Sequence, residues 1–124
     1  MAEKKKMLKK RFRYKVLEVR LKSLEMEKQA PLALNPVPEG KTYLILELSM
    51  KNTSKSQFII FQQEEITLQI GKEIIPLENY KIENNLDGGQ ESTGFLLFAI
   101  PEGAKRAKIL FGKFDNKVGV SFKL

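Results

Sequence analysis

The stretch EGKTYLILELSMKNTSKSQFII, Glu39–Ile60, decides the fold. Thr42, Leu44, Leu46, Leu48 and Met50 fall on one side of an extended chain, and Tyr43, Ile45, Glu47, Ser49 and Lys51 on the other. A period of two is that of a half-buried β-strand, since successive side chains of a strand point to opposite faces. The alternation stops at Asn52-Thr53-Ser54. Asn and Ser side chains bond to nearby backbone groups in place of a ladder, so the reading there is a turn, followed by QFIIF as a short, apolar strand.

Downstream, EITLQIGKEIIPL predicts a hairpin. Ile66, Leu68 and Ile70 alternate, Gly71-Lys72 turns the chain, and Ile74–Leu77 returns. Pro76 cannot donate to a central ladder and puts the return strand at an edge or a strand end. ENYKIENNLDGGQES reads as a polar loop, TGFLLFAI as a buried strand closed by PEGAK, and AKILFGKF with VGVSFKL as a pair joined across DNK. Upstream, KQAPLALNPVPEG is an extended connection with three prolines. RFRYKVLEVRLKSLEM has no polar face as a helix, because Phe12, Val16 and Val19 lie opposite Tyr14, Leu17, Leu21 and Leu24. It is therefore expected to be one strand with a bulge near Val16. Seven to eight short strands without a convincing helix predict an all-β, antiparallel β-sandwich over residues 11–124, preceded by a flexible tail over residues 1–10.

The chain has 124 residues, enough for one domain, and a formal charge of +7. That charge is local. Residues 1–15 hold eight basic side chains against Glu3 alone, while the rest of the chain carries 14 basic and 14 acidic ones. No apolar run reaches the roughly 20 residues that span a bilayer as a helix. The basic cluster is not followed by the apolar core of a signal peptide, so as a full gene product the chain would be cytoplasmic.

Neither histidine nor cysteine is present, which removes the commonest general base, thiolate chemistry and the usual ligands of zinc or copper. Glu64 and Glu65, read as strand residues, point to opposite faces and form no carboxylate dyad. Glu83–Glu91 offers oxygen ligands around Gly88-Gly89 but lacks the alternating spacing of a calcium loop, and is read as a glycine turn. No catalytic residue, metal ligand, cofactor or small-molecule substrate is expected.

GKTYLILELSMKNTSKS, ITLQIGKEIIPL and GGQESTGFLLFAIPEGAK, together spanning roughly Gly40–Phe111, resemble a family of bacterial immunoglobulin-like domains of unknown function. That family occurs mostly in secreted or lipid-anchored proteins. The resemblance implies a sandwich fold, an extracytoplasmic or membrane-associated location, and no active site. The expected function is a non-catalytic module binding a protein or cell-envelope partner through the turn and the strand after it, at Asn52, Ser54, Phe58 and Ile60. The alternative is a nucleic-acid-associated or acidic-membrane-associated protein acting through Lys5, Lys6, Lys9, Lys10, Arg11, Arg13 and Lys15. In that segment Phe12 and Tyr14 share the core side of a strand and Arg11, Arg13 and Lys15 the other.

Overall fold

The computed structural model describes residues 5–30, 33, 35–56, 63–83, 85–113 and 117–124, and the backbone of 58–59. Among them the chain forms eleven strands: β1 (Lys6–Tyr14), β2 (Leu17–Glu27), β3 (Lys41–Asn52), β4 (Phe58–Ile59), β5 (Ile66–Ile70), β6 (Glu73–Pro76), β7 (Asn79–Lys81), β8 (Asn85–Leu86), β9 (Glu91–Pro101), β10 (Arg106–Phe111) and β11 (Val118–Lys123). One sheet runs β1-β2-β3-β9-β7 and a second β11-β10-β5-β6, while β4 and β8 pair separately. Every pairing is antiparallel. The two main sheets enclose one apolar core, and the molecule is an antiparallel β-sandwich.

Strand β3 holds the centre of the larger sheet. Leu44, Leu46, Leu48 and Met50 are fully buried, as their alternation requires. Leu46 lies opposite Leu24 on β2 and opposite Leu96 on β9. Facing them from the second sheet are Ile66, Leu68, Ile109 and Phe111, all fully buried. Each such side chain contributes roughly 1.5–3 kcal/mol by leaving water. The β5–β6 hairpin turns at Gly71-Lys72, with Gly71 at φ 60°, and β6 is an edge strand ending at Pro76.

Two expectations change at the N-terminal end. Residues 11–26 are not one bulged strand but parts of two, because the chain reverses at Lys15-Val16 and pairs Tyr14 with Leu17. Lys15 sits at φ 55°, a conformation that costs an L-residue with a Cβ about 1–2 kcal/mol. Thr53 braces this turn, donating to the Val16 carbonyl from both its backbone nitrogen (2.8 Å) and its Oγ1 (2.7 Å). Residues 6–10 belong to β1 and not to a flexible tail. Lys6 pairs with Leu24 and Met7 with Ser23, and Leu8 packs against the core.

The strand is also fastened to the opposite sheet. Phe12 and Tyr14 meet the Phe111 ring edge-on, with centroids 5.3 and 5.7 Å away. The Tyr14 hydroxyl donates to Glu65 Oε2 at 2.9 Å. Glu64 and Glu65 lie in a 3-10 turn, Gln63–Glu65, rather than in the strand expected for them.

Asn52 ends β3 and is fully buried. Its Nδ2 donates to the carbonyls of Ser56 (2.9 Å) and Leu86 (3.0 Å), and its Oδ1 accepts from the nitrogen (2.9 Å) and Oγ (2.7 Å) of Ser54. Both donors and both acceptor sites of the amide are used. The polar loop expected over 78–92 contains two short strands, β7 and β8, and Asn52 ties the second of them to the end of β3.

Two measurements follow from these attachments. Asn52→Ala is expected to lower unfolding stability by about 1–3 kcal/mol in chemical denaturation, since it strands the buried Leu86 carbonyl. Asn52→Asp, of nearly the same shape, should be no better, because a carboxylate would face two carbonyl oxygens. Burial first, and then the Glu65 carboxylate, push the Tyr14 hydroxyl from 10.0 up to about 12. The neutral phenol is thus favoured by folding, so its contribution is complete below pH 10 and is lost as pH climbs to about 12. Tyr14→Phe should cost about 1 kcal/mol at neutral pH, and its deficit relative to wild type should shrink across that alkaline window.

Candidate anion-binding edge

Strand β1 is an edge of the larger sheet. Core contacts of Leu8, Phe12 and Tyr14 take up three of its four apolar side chains, and Met7 remains exposed along it with Lys6, Lys9, Lys10, Arg11 and Arg13. Of the cations that were read as one arm, the five from Lys6 to Arg13 are therefore displayed along a single ordered strand, with Lys5 immediately before it. Lys15 stands apart at the turn, with Nζ 5.2 Å from the centre of the Tyr14 ring.

Lys5 Nζ is 3.6 Å from Glu47 Oε1, which also accepts from Ser23 Oγ at 2.8 Å. Lys6 Nζ donates to the Lys123 carbonyl at 3.3 Å, a contact that joins β1 to the edge of the second sheet. Arg20 donates to Glu18 Oε1 from Nε (3.1 Å) and Nη2 (2.8 Å). These hydrogen bonds, then the Arg20 charge, hold the Glu18 carboxyl below its ordinary range, with Arg11 and Arg13 adding to the effect. Among the described residues, no carboxylate lies within ion-pairing distance of Lys9, Lys10, Arg11, Arg13 or Lys22.

The pairing of β1 with β2 is interrupted at one level. Register shifts fall between Met7 and Lys10 on β1 and, on β2, between Leu21 and Ser23. The two irregularities lie side by side and open a cleft of about 410 Å³ lined by Met7, Leu8, Lys9, Lys10, Arg11, Arg20, Leu21 and Lys22. On the other side of β1 a second cleft, of about 390 Å³, lies at the seam between the sheets, where Lys6, Lys9 and Lys10 meet Arg106 and Lys123 over Leu8 and Phe122.

Arg20, Lys22, Arg106 and Lys123 were not expected at this site. The first two are visible in VRLKS only once the hairpin at Lys15-Val16 is known. The last two are paired with each other across β10 and β11 and reach β1 only through packing of one sheet on the other.

The turn expected to meet a partner is engaged internally. Asn52 is enclosed, and Ser54 Oγ donates to Asn52 Oδ1 or to the Ser56 carbonyl. The backbone of Phe58 pairs with Leu86, and Ile60 lies outside the described residues. In the Asp87–Gln90 turn Gly89 adopts φ 80°, and the Asp87 nitrogen donates to Gln90 Oε1 at 2.9 Å.

Among the solved structures that share the fold are three bacterial proteins. The yjhA protein from Bacillus subtilis aligns with a TM-score of 0.67 at 13% identity, covering 96% of this chain and 99% of that one. A functionally unknown protein from Listeria monocytogenes EGD-e aligns with a TM-score of 0.64 at 16% identity, covering 98% and 84%. An uncharacterised β-sandwich protein from Clostridium difficile 630 aligns with a TM-score of 0.61 at 15% identity, covering 100% and 97%. No curated protein matches the sequence. Residues 6–118, from the first residue of β1 to the first of β11, match the family described as "Domain of unknown function (DUF4352)", and the chain belongs to that family.

Proposed function

We propose that this domain is a non-catalytic binding module, and that its partner is a polyanion held at the β1 edge. The observation that carries the reading is the gathering of cations from both sheets around one strand, with Glu18 and Glu47 as their described counter-charges. Clustered charge of one sign raises the local concentration of an opposite one and speeds its capture. Lysines on an edge strand also discourage edge-to-edge pairing with another sheet. That role alone does not require Arg11 opposite Arg20, nor Arg106 and Lys123 at the seam.

The sequence holds neither histidine nor cysteine, the commonest general base and the thiolate nucleophile, which favours binding over catalysis. A protein partner at Asn52 and Ser54 has less support, since both side chains are committed to their own turn.

Immobilised heparin, a polyanion without base or lipid, supplies the test. Wild-type protein should be retained at low salt and released as the screening length falls toward roughly 10 Å near 0.1 M salt or below it. Arg11→Glu should elute at clearly lower salt. Lys72→Glu, the same charge change on the β5–β6 turn, should elute between Arg11→Glu and wild type. Equal shifts for the two variants would mean that only net charge matters and would remove the β1 edge as the site.

A further inference from the structure

Met7 is the most exposed large apolar side chain among the described residues, at 69%, and it lies within the basic strand. Leu8 beside it is half-buried against the core, as alternation along a strand requires, and the register shift between Met7 and Lys10 begins at this level. A bulge leaves its extra residue outside the ladder and re-aims the side chains around it. Here the β1 irregularity lies against the one on β2, and Lys9 and Lys22 line the opening between the strands together with Met7.

An apolar side chain projecting beside a cation-lined cleft suits one anionic surface better than others. A bilayer of acidic lipids presents phosphates at the level of the lysines and hydrocarbon just beneath them. Single-stranded nucleic acid is held by aromatic rings that stack on bases. The aromatic side chains of this strand, Phe12 and Tyr14, are instead packed on Phe111.

Resting on the polyanion reading above, we infer that the cleft at the paired bulges receives the phosphate of an acidic lipid headgroup while Met7 enters the bilayer interface. Lys9 and Lys22 supply the charge, and Met7 the apolar contact. The cleft on the far side of Met7–Lys10, with Arg106 and Lys123, extends the basic surface that faces the leaflet.

The chain contains no tryptophan, so Met7→Trp places a single indole at the proposed point of insertion. Its emission is read with phosphatidylglycerol-containing vesicles, with pure phosphatidylcholine vesicles, and with heparin or duplex DNA. A blue shift with the acidic vesicles alone is expected. Lys9→Ala and Lys22→Ala should each weaken vesicle binding roughly fivefold, the loss of one lysine near an acidic leaflet. Met7→Ser, which leaves the charge unchanged, should weaken vesicle binding and leave heparin binding as it was, with thermal melts confirming that each variant is folded. Heparin or DNA binding without vesicle binding, or vesicle binding with no change in the indole emission, would overturn the lipid inference and leave the polyanion reading standing. Binding to none of these would overturn both.

Discussion

The alternation of β3 is the constraint on which the rest of the molecule depends. Its apolar set faces the second sheet, and it is hydrogen-bonded on both sides, to β2 and to β9. A shift of one residue in either pairing would turn Leu44, Leu46, Leu48 and Met50 away from the core. Burial therefore dictates the register of the larger sheet. The end of β3 organises the neighbouring turns, because Asn52 and Thr53 reach β8 and the β1–β2 turn with side-chain hydrogen bonds.

That arrangement explains how a strand so rich in charge stays ordered. Among the described residues no strand pairs with the outer edge of β1, and repulsion among its lysines and arginines opposes its docking. Leu8, Phe12 and Tyr14 offset this by packing on the core or meeting Phe111, and the Tyr14–Glu65 hydrogen bond ties β1 to the turn that leads into β5. The cations are left outward on a rigid support. A surface of that kind can present several charges at once without first losing the conformational entropy of a flexible arm.

Much of the sandwich was legible. Strands β3, β5, β6, β9, β10 and β11 each carry a period-two or continuous apolar signal bounded by glycine, proline or asparagine, and each forms where that signal lies. The β1–β2 turn was not legible, because Lys15-Val16 contains none of the residues that ordinarily mark a two-residue hairpin. A lysine at φ 55° is tolerated there because Thr53, distant in sequence, holds the turn from outside. The same miss concealed the basic edge. With 11–26 taken as one strand, Arg20 and Lys22 lay far from Arg11 and Lys9. With the hairpin in place Arg20 is directly opposite Arg11, and Lys22 shares a cleft with Lys9.

The sequence by itself determined an all-β chain, the inward face of its central strand, the absence of histidine and cysteine chemistry, and the concentration of net charge in the first 15 residues. Tertiary structure alone decided that those charges lie along an ordered edge, that Asn52 is an internal tie rather than a surface group, and that Arg106 and Lys123 join Lys6 at the seam. The physical reason is that periodicity reports which side of a strand leaves water. It carries no information about which distant strand comes to lie beside it, and that neighbour is selected only when the two sheets close on their common core.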